Sequence, residues 1–241
     1  MARIALQLYS INDVDDDLLT VLETVSETAF DGVEFAGVEG ETSEIATTLE
    51  ETGLEAPSAH VGIEQLEDDL EGTLETYEEL GVTELVVPYL PPEDFETRER
   101  IEETAERLSA VTAGLGEGQS LHYHNHDHEF VEVDGRPALE HLIDLTDDLQ
   151  IEPDLGWVGV AGYDPVAFLE THADRVSLVH IKDYQEGGQP VEGGTGDLDI
   201  EAVSAAAQEA GAEWLIYEHE ERQDSYETVE NGAAYLEPYR G

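Results

Sequence analysis

Short apolar segments recur along the whole chain and predict eight β-strands. Each segment mixes leucine, β-branched and aromatic residues, and a polar stretch long enough for one helix separates it from the next. Such runs are typical of parallel strands that are buried on both faces. The predicted strands cover residues 3–10, 32–37, 54–62, 84–90, 120–126, 150–157, 176–183 and 214–220.

The segments between these strands have the spacing of amphipathic helices. In 15–30 and again in 66–80, apolar residues recur every three or four positions. Asp164 followed by Pro165 predicts a helix that begins there, because an aspartate caps the first turn and proline fits its first position. Glycines stand where left-handed caps would end the predicted helices: Gly53, Gly81 and Gly211.

Eight alternations of strand and helix predict a single (β/α)8 barrel, an α/β fold that spans residues 1–241 as one domain. A chain of 241 residues suits this fold, and no shift in composition or linker divides it. An open, doubly wound sheet is the alternative. It is disfavoured because no G-x-G-x-x-G motif follows the first strand.

Charge excludes several classes of partner. The chain has 9 Lys and Arg against 59 Asp and Glu, a formal net charge of −50. Such a surface repels phosphate backbones and anionic bilayers, so neither nucleic acid nor a membrane is expected as a partner. The balance indicates a halophilic protein adapted to a salt-rich cytoplasm, where charges are strongly screened. Lys182 is the only lysine in the chain.

Other classes are excluded by what the sequence lacks. It contains no cysteine, which excludes disulfides and thiolate metal sites. The first predicted strand follows Met1 without the features of a signal peptide, and no run of about 18 apolar residues predicts a membrane span. These features predict a cytoplasmic protein.

Histidines and carboxylates are concentrated where the predicted strands end. In a (β/α)8 barrel these ends meet at one mouth, which holds the active site. Imidazole and carboxylate groups are ligands for a divalent ion, so we expect one Mn²⁺, Mg²⁺, Co²⁺ or Zn²⁺ as the cofactor. The predicted metal ligands are Glu129, Asp154, His180 and Glu218.

Five motifs make the chain resemble the sugar phosphate isomerase/epimerase family of the xylose isomerase-like barrel superfamily. They are Y-H-N-H-x-x-E-F at 123–130, D-L-G-W at 154–157, A-G-Y-D-P-V-A-F-L at 161–169, R-V-x-L-V-H-I-K-D at 175–183 and G-x-G-D-L-D at 194–199. The resemblance covers essentially the whole chain. It implies a metal held by a glutamate on strand five and by Asp154, His180 and Glu218.

Strand five departs from the commonest pattern of that superfamily. Its sugar epimerases typically have Glu-Asn-His there, whereas this chain has His124-Asn125-His126. Either His124 replaces the carboxylate ligand or Glu129, five residues further on, reaches back to the metal. We expect Glu129 to be the ligand and His124 to lie close by in a catalytic role.

The remaining site residues follow from the chemistry that such a centre supports. A metal that chelates a sugar carbonyl and its neighbouring hydroxyl favours an enediolate, and Glu218 is the predicted catalytic base. Lys182 is predicted to be catalytic as a proton donor or as a ligand of a substrate oxygen. A salt bridge to a neighbouring acid is the alternative explanation for this residue. The predicted substrate-binding residues are His60, His126, Glu34 and Tyr9.

The activity expected is that of a metal-dependent isomerase or epimerase of a small sugar or keto-polyol. A lyase, such as an inosose dehydratase or an enzyme that cleaves 3-keto-glycosides, is the alternative. An abasic-site endonuclease would need a positive groove, and a non-catalytic carbohydrate-binding protein would not need aligned carboxylates. Few basic residues are present to bind a phosphate, so the sequence is at least as compatible with an unphosphorylated substrate as with a phosphorylated one. Assembly into a homo-oligomer is left open.

Overall fold

Eight parallel strands form a closed barrel in the part of the chain that the computed structural model describes, residues 2–220 and 225–241. This architecture confirms the predicted fold class. The barrel strands are β1 (Arg3–Gln7), β2 (Gly32–Glu34), β3 (Ser58–His60), β4 (Glu84–Val87), β5 (Ser120–His124), β6 (Gln150–Glu152), β7 (Leu178–Ile181) and β8 (Trp214–Tyr217).

Two four-stranded sheets close the barrel at two seams. Strands pair in the orders β2-β1-β8-β7 and β3-β4-β5-β6. Isolated bridges Gly32–Glu55 and Phe35–Ala59 join β2 to β3, and bridges Ile151–Val176 and Asp154–His180 join β6 to β7. The second seam places Asp154 directly beside His180. Barrel closure therefore builds part of the predicted site.

Helices cover the outside of the barrel. In the described ranges they are α1 (Leu18–Ser26), α2 (Thr42–Thr52), α3 (Ile63–Asp68), α4 (Leu70–Glu79), α5 (Arg98–Thr112), α6 (Ala138–Leu145), α7 (Leu155–Val160), α8 (Pro165–His172), α9 (Ile200–Ala210) and α10 (Glu227–Leu236). The cap predicted at Asp164 is confirmed, since its side chain accepts the Val166 and Ala167 N–H groups. None of these helices is long and apolar enough to cross a membrane.

The continuous helix predicted over 66–80 is wrong, because Asp69 divides it into α3 and α4. The backbone of Asp69 leaves the helical region, with φ −149° and ψ 72°. Its side chain accepts the N–H of Gly72 and so caps the start of α4. Aspartate competes for backbone hydrogen bonds in this way, and the apolar spacing alone does not reveal the break.

The barrel interior changes character along its axis. Ala5, Val86, Leu178, Trp214 and Ile216 form a small apolar cluster, separate from the large core in which the helices participate. Alternate residues on a strand point to the same face. The residues two positions after Ala5, Leu178 and Ile216 therefore also point into the barrel, nearer to the carboxyl ends of the strands. These side chains are polar and buried: Gln7, His180 and Glu218.

Gly32 allows strand β2 and the chain entering β3 to approach closely, and Gly32→Ala tests this seam. The added Cβ would overlap the carbonyl oxygen of Glu55, a backbone atom that already accepts the Val33 N–H at 2.9 Å. We expect the free energy of unfolding to fall by about 1–3 kcal/mol in urea denaturation. Gly116→Ala is the control, because its Cβ would meet only the end of the Gln119 side chain. Equal losses of unfolding free energy in both variants would contradict the conclusion that close backbone packing at Gly32 stabilises the barrel.

Candidate functional site

A cavity of about 490 Å³ opens at the carboxyl ends of the barrel strands. Its volume suits a small-molecule ligand. Five of the predicted site residues line it: Tyr9, His60, His124, His126 and Glu218. The rest of its wall consists of Ala36, Gly37, Gly62, Gln65, Pro88, Tyr89 and Glu220.

Four side chains from four successive strand ends form a compact group beside this cavity. They are His124, Asp154, His180 and Glu218, each of which offers a ligand atom within 4.8 Å of the others. His180 Nδ1 lies 3.1 Å from Glu218 Oε2, and His124 Nε2 lies 3.7 Å from Asp154 Oδ2. All four side chains are buried. Two imidazoles and two carboxylates at these separations are a donor set that fits a divalent metal ion.

Asp154 is held rigidly at the point where β6 gives way to α7. Its Oδ1 atom accepts the Trp157 N–H at 2.9 Å and so caps the helix. The Asn125 amide bridges to the Asp154 backbone, accepting its N–H at 3.1 Å and donating to its carbonyl at 3.3 Å. One carboxylate oxygen is therefore used to fix the residue. The other, Oδ2, faces His124 and Lys182.

The ammonium group of Lys182 is enclosed by three carboxylates. Its Nζ atom lies 3.1 Å from Asp154 Oδ2, 2.9 Å from Glu218 Oε2 and 2.5 Å from Glu220 Oε1. Burial alone would lower the pKa of Lys182, but these carboxylates outweigh it and raise the pKa. Burial would likewise raise the pKa of Glu218, whereas Lys182 and His180 hold it well below its usual value. Both groups are therefore charged at neutral pH.

A second group of possible metal ligands lies beneath the first and is centred on Glu152: His60, His124, Glu152 and His180 each offer a ligand atom within 4.8 Å of the others. The Oε2 atom of Glu152 lies 3.0 Å from His60 Nε2, 3.1 Å from His124 Nδ1 and 3.2 Å from His180 Nε2. Burial and the neighbouring charge of Glu34 raise the pKa of Glu152 to about 7. Burial would also raise the pKa of Glu34, but the charges of His60 and His180 outweigh it and lower that pKa to about 2.

Three predicted site residues are not in the positions expected from the sequence. The Glu129 carboxylate accepts the Tyr123 hydroxyl at 2.6 Å and the His126 N–H at 2.8 Å, and it belongs to neither ligand group in the described residues. Glu34 bonds Gln7, Ser58 and His180 below the cavity floor. Lys182 does not line the cavity, because its carboxylate partners surround it. Its contacts match the alternative explanation of a salt bridge to neighbouring acids.

Two residues of the site were not among the predicted ones. Glu152 is fully buried and contacts three histidines. It precedes Asp154 by two positions in an apolar strand, so alternation along the strand places it on the same face and was a usable signal. Glu220 lines the cavity and pairs with Lys182. It lies just beyond β8, and its spacing of two from Glu218 carries the same signal.

Comparison with known proteins identifies the family. A family model described as the xylose isomerase-like TIM barrel matches residues 22–239, so the chain belongs to this family of barrels. A structure of a sugar phosphate isomerase/epimerase from Parabacteroides distasonis is similar, with a TM-score of 0.85, 22% identity, and coverage of 100% of this chain and 96% of that one. L-ribulose 3-epimerase gives a TM-score of 0.74 at 16% identity, covering 99% and 93%.

One curated relative is similar over a shorter segment. Inosose dehydratase from Geobacillus kaustophilus is 38% identical over 68 residues, which are 27% of this chain and 21% of the relative. The aligned segment thus spans about a fifth of that protein. The structural similarities support the fold, and the family match covers nearly the whole chain.

Replacing Lys182 tests whether its ammonium compensates the buried carboxylates. Lys182→Met removes the charge from a fully buried group with three acidic partners, and we expect a loss of about 3–5 kcal/mol in the free energy of unfolding, measured in urea at neutral pH. The loss should shrink at acidic pH, because Glu218 then takes up protons and its unpaired charge disappears.

Arg107→Met is the matched control. Arg107 also pairs with several acids, at 2.8 Å from Glu67, but it lies on the surface. Its side chain is 34% exposed and bidentate to Glu67, so this variant should lose about 1 kcal/mol, the upper end of the range for solvated pairs. Similar losses for the two variants would show that burial does not set the contribution of Lys182.

Proposed function

We propose that the protein is a divalent-metal-dependent isomerase or epimerase of an uncharged sugar or keto-polyol. The observation that carries this proposal is the group formed by His124, Asp154, His180 and Glu218, which borders a cavity at the mouth of the barrel. Family membership supports it, because the similar proteins include a sugar phosphate isomerase/epimerase and L-ribulose 3-epimerase.

The donor set favours a metal that accepts both nitrogen and oxygen. Two imidazoles and two carboxylates suit Mn²⁺, Co²⁺ or Zn²⁺ better than Mg²⁺, which prefers oxygen ligands alone. When bound, such an ion would polarise a substrate carbonyl and so acidify the neighbouring C–H group. Strand five would contribute His124 to the ligand set in place of Glu129.

The residues on the cavity wall could move the proton. Glu218 is ionised at neutral pH and lines the cavity, so we propose that it is the base. Burial and the charge of Lys182 lower the pKa of His126 to about 3, which keeps its imidazole neutral. His60 lines the cavity and is the candidate for returning the proton to the other face or to the other carbon, because burial would lower its pKa but the charges of Glu34 and Glu152 raise it. Lys182 would act indirectly, by keeping Glu218 charged.

The composition of the cavity wall supports an uncharged substrate. Its described lining residues include two glutamates and neither lysine nor arginine. The nearest ammonium, that of Lys182, is already occupied by three carboxylates. Among the described lining residues, a phosphate group would therefore meet carboxylates and no compensating cation. Tyr9 and Tyr89, 43% and 50% exposed, could pack against the apolar face of a sugar ring.

Dehydration of a keto-polyol is a second candidate function. The segment shared with an inosose dehydratase favours it, and elimination of water needs an acid for the leaving oxygen as well as a base. His60 could supply that acid. An abasic-site endonuclease is disfavoured, because a net charge of −50 and the lack of lysine and arginine among the described wall residues oppose binding of nucleic acid.

Metal binding and the identity of the strand-five ligand are tested together by calorimetry. The wild type, first treated with chelator, should bind one Mn²⁺ or Co²⁺ ion per chain. We expect His124→Gln to weaken binding by more than about 100-fold, since even changes outside the ligand shell cost 10–100-fold. Glu129→Gln should bind nearly as tightly as the wild type. The reverse pattern would assign Glu129 as the ligand.

Turnover of keto-sugars and inososes, assayed in D2O with added metal, separates the two candidate functions. We expect products of unchanged composition that carry solvent deuterium, detected by mass spectrometry. A dehydratase would instead give products that have lost one water. Assays in molar salt suit the acidic surface. Glu218→Gln should lower kcat by about 10²–10⁴-fold, as expected for loss of a general base.

Glu209→Gln is the control for this substitution, because Glu209 is exposed on α9. It should keep wild-type turnover. Full activity in Glu218→Gln would exclude Glu218 as the base. Absence of metal-dependent turnover on every sugar and inosose would contradict both candidate functions.

A further inference from the structure

Three imidazoles converge on a single oxygen atom beneath the candidate metal centre. The atom is Oε2 of Glu152, and it lies 3.0 to 3.2 Å from one ring nitrogen each of His60, His124 and His180. The histidines come from three different strands, β3, β5 and β7. Glu152 is fully buried, so water does not compete for these contacts.

The chemistry of a carboxylate determines which nitrogen of His124 carries its proton. At alkaline pH Glu152 is ionised, and an ionised carboxylate only accepts hydrogen bonds, so a nitrogen that bonds to it must be an N–H group. A neutral imidazole has one such group. His124 uses Nδ1 toward Glu152, at 3.1 Å. Its Nε2 atom then keeps a lone pair and faces Asp154 Oδ2, 3.7 Å away, on the side of the candidate metal centre.

We propose that Glu152 is a positioning residue that holds His124 in the Nδ1–H tautomer and so makes Nε2 available as a metal ligand. As far as the metal is concerned, this inference rests on the proposed function. The tautomer itself follows from the contact with Glu152 and is a property of the metal-free protein. Glu152 does not line the cavity and lies outside the group formed by His124, Asp154, His180 and Glu218, so it would act through the imidazole.

The neighbouring ligand histidine has a comparable arrangement. His180 Nδ1 faces Glu218 Oε2 at 3.1 Å, while its Nε2 atom lies 2.6 Å from Glu34 Oε2 and 3.2 Å from Glu152 Oε2. A carboxylate thus lies on the far side of each candidate ligand ring. Partners of this kind fix the orientation of a ligand histidine and, where the ring is neutral, its tautomer. Without such a partner, the His124 imidazole would prefer the Nε2–H form. The nitrogen that faces Asp154 would then be protonated and could not bind a metal.

Imidazole nitrogen NMR on ¹⁵N-labelled, metal-free protein tests the proposal directly. At alkaline pH, where His124 is neutral, two-bond ¹H–¹⁵N correlations report which nitrogen is protonated, and a His124→Gln variant assigns the signals. The wild type should show His124 as Nδ1–H. Glu152→Met removes the acceptor at similar volume and should shift His124 to Nε2–H. Glu152→Gln retains one acceptor oxygen and should largely keep Nδ1–H.

Affinity for Mn²⁺, measured by calorimetry on the same proteins, should follow the tautomer. We expect a loss of about 10–100-fold for Glu152→Met and a smaller loss for Glu152→Gln. Glu84→Met is the matched control, since Glu84 bonds the buried His122 ring on β5 at a distance from both ligand groups. It should alter the signals of His122 and leave both the His124 tautomer and the Mn²⁺ affinity unchanged.

Two results would overturn the proposal. One is a wild-type His124 in the Nε2–H form, which needs no variant and remains decisive if Glu152→Met does not fold. The other is a folded Glu152→Met that keeps Nδ1–H, whatever its affinity for the ion. If the wild type shows Nδ1–H but binds no divalent metal, the proposed function fails while the role of Glu152 in setting the tautomer stands.

Discussion

The burial of several carboxylates at one end of the barrel is the constraint on which the site depends. Glu34, Glu152 and Asp154 are fully buried, and Glu218 is 5% exposed. A buried carboxylate is costly unless a charge or a hydrogen-bond donor compensates it. Here every compensating imidazole or ammonium comes from a different strand than its carboxylate. The same contacts that neutralise the site therefore hold the strand ends in register.

This local balance explains how a chain with a net charge of −50 places its only lysine inside. The exposed acids on the outer helices are hydrated and screened by salt, so they need no basic partners. Screening does not reach the barrel interior. Lys182 compensates Asp154 and Glu218 there, because both carboxylates are buried and both lie within about 3 Å of its ammonium group. The acidic surface and the charge-balanced interior thus have separate causes: salt screens the charges outside, whereas each buried charge needs a partner inside.

The sequence was informative where strand geometry alone places a residue. Asp154, His180 and Glu218 each end a barrel strand, and strands of a closed barrel converge regardless of the details of their loops. Glu129 lies beyond β5, in the short 3₁₀ turn His128–Phe130, which directs its carboxylate to Tyr123. Such a turn leaves no periodic pattern of apolar residues in the sequence. Depth along the barrel axis was equally hidden, so Glu34 was expected at the cavity although it lies beneath it.

The same depth explains why an imidazole at position 124 suits this barrel. A carboxylate there would stand close to Asp154 and directly over Glu152, whose Oε2 atom lies 3.1 Å from His124 Nδ1. A third acid would then face Glu152 and Asp154, whose remaining donors His60, His180 and Lys182 already serve other carboxylates, at a cost of several kcal/mol. His124 instead offers an N–H to the acid below and a lone pair to the group above. An imidazole at position 124 and a carboxylate at position 152 are therefore coupled, and neither residue is readily exchanged without the other.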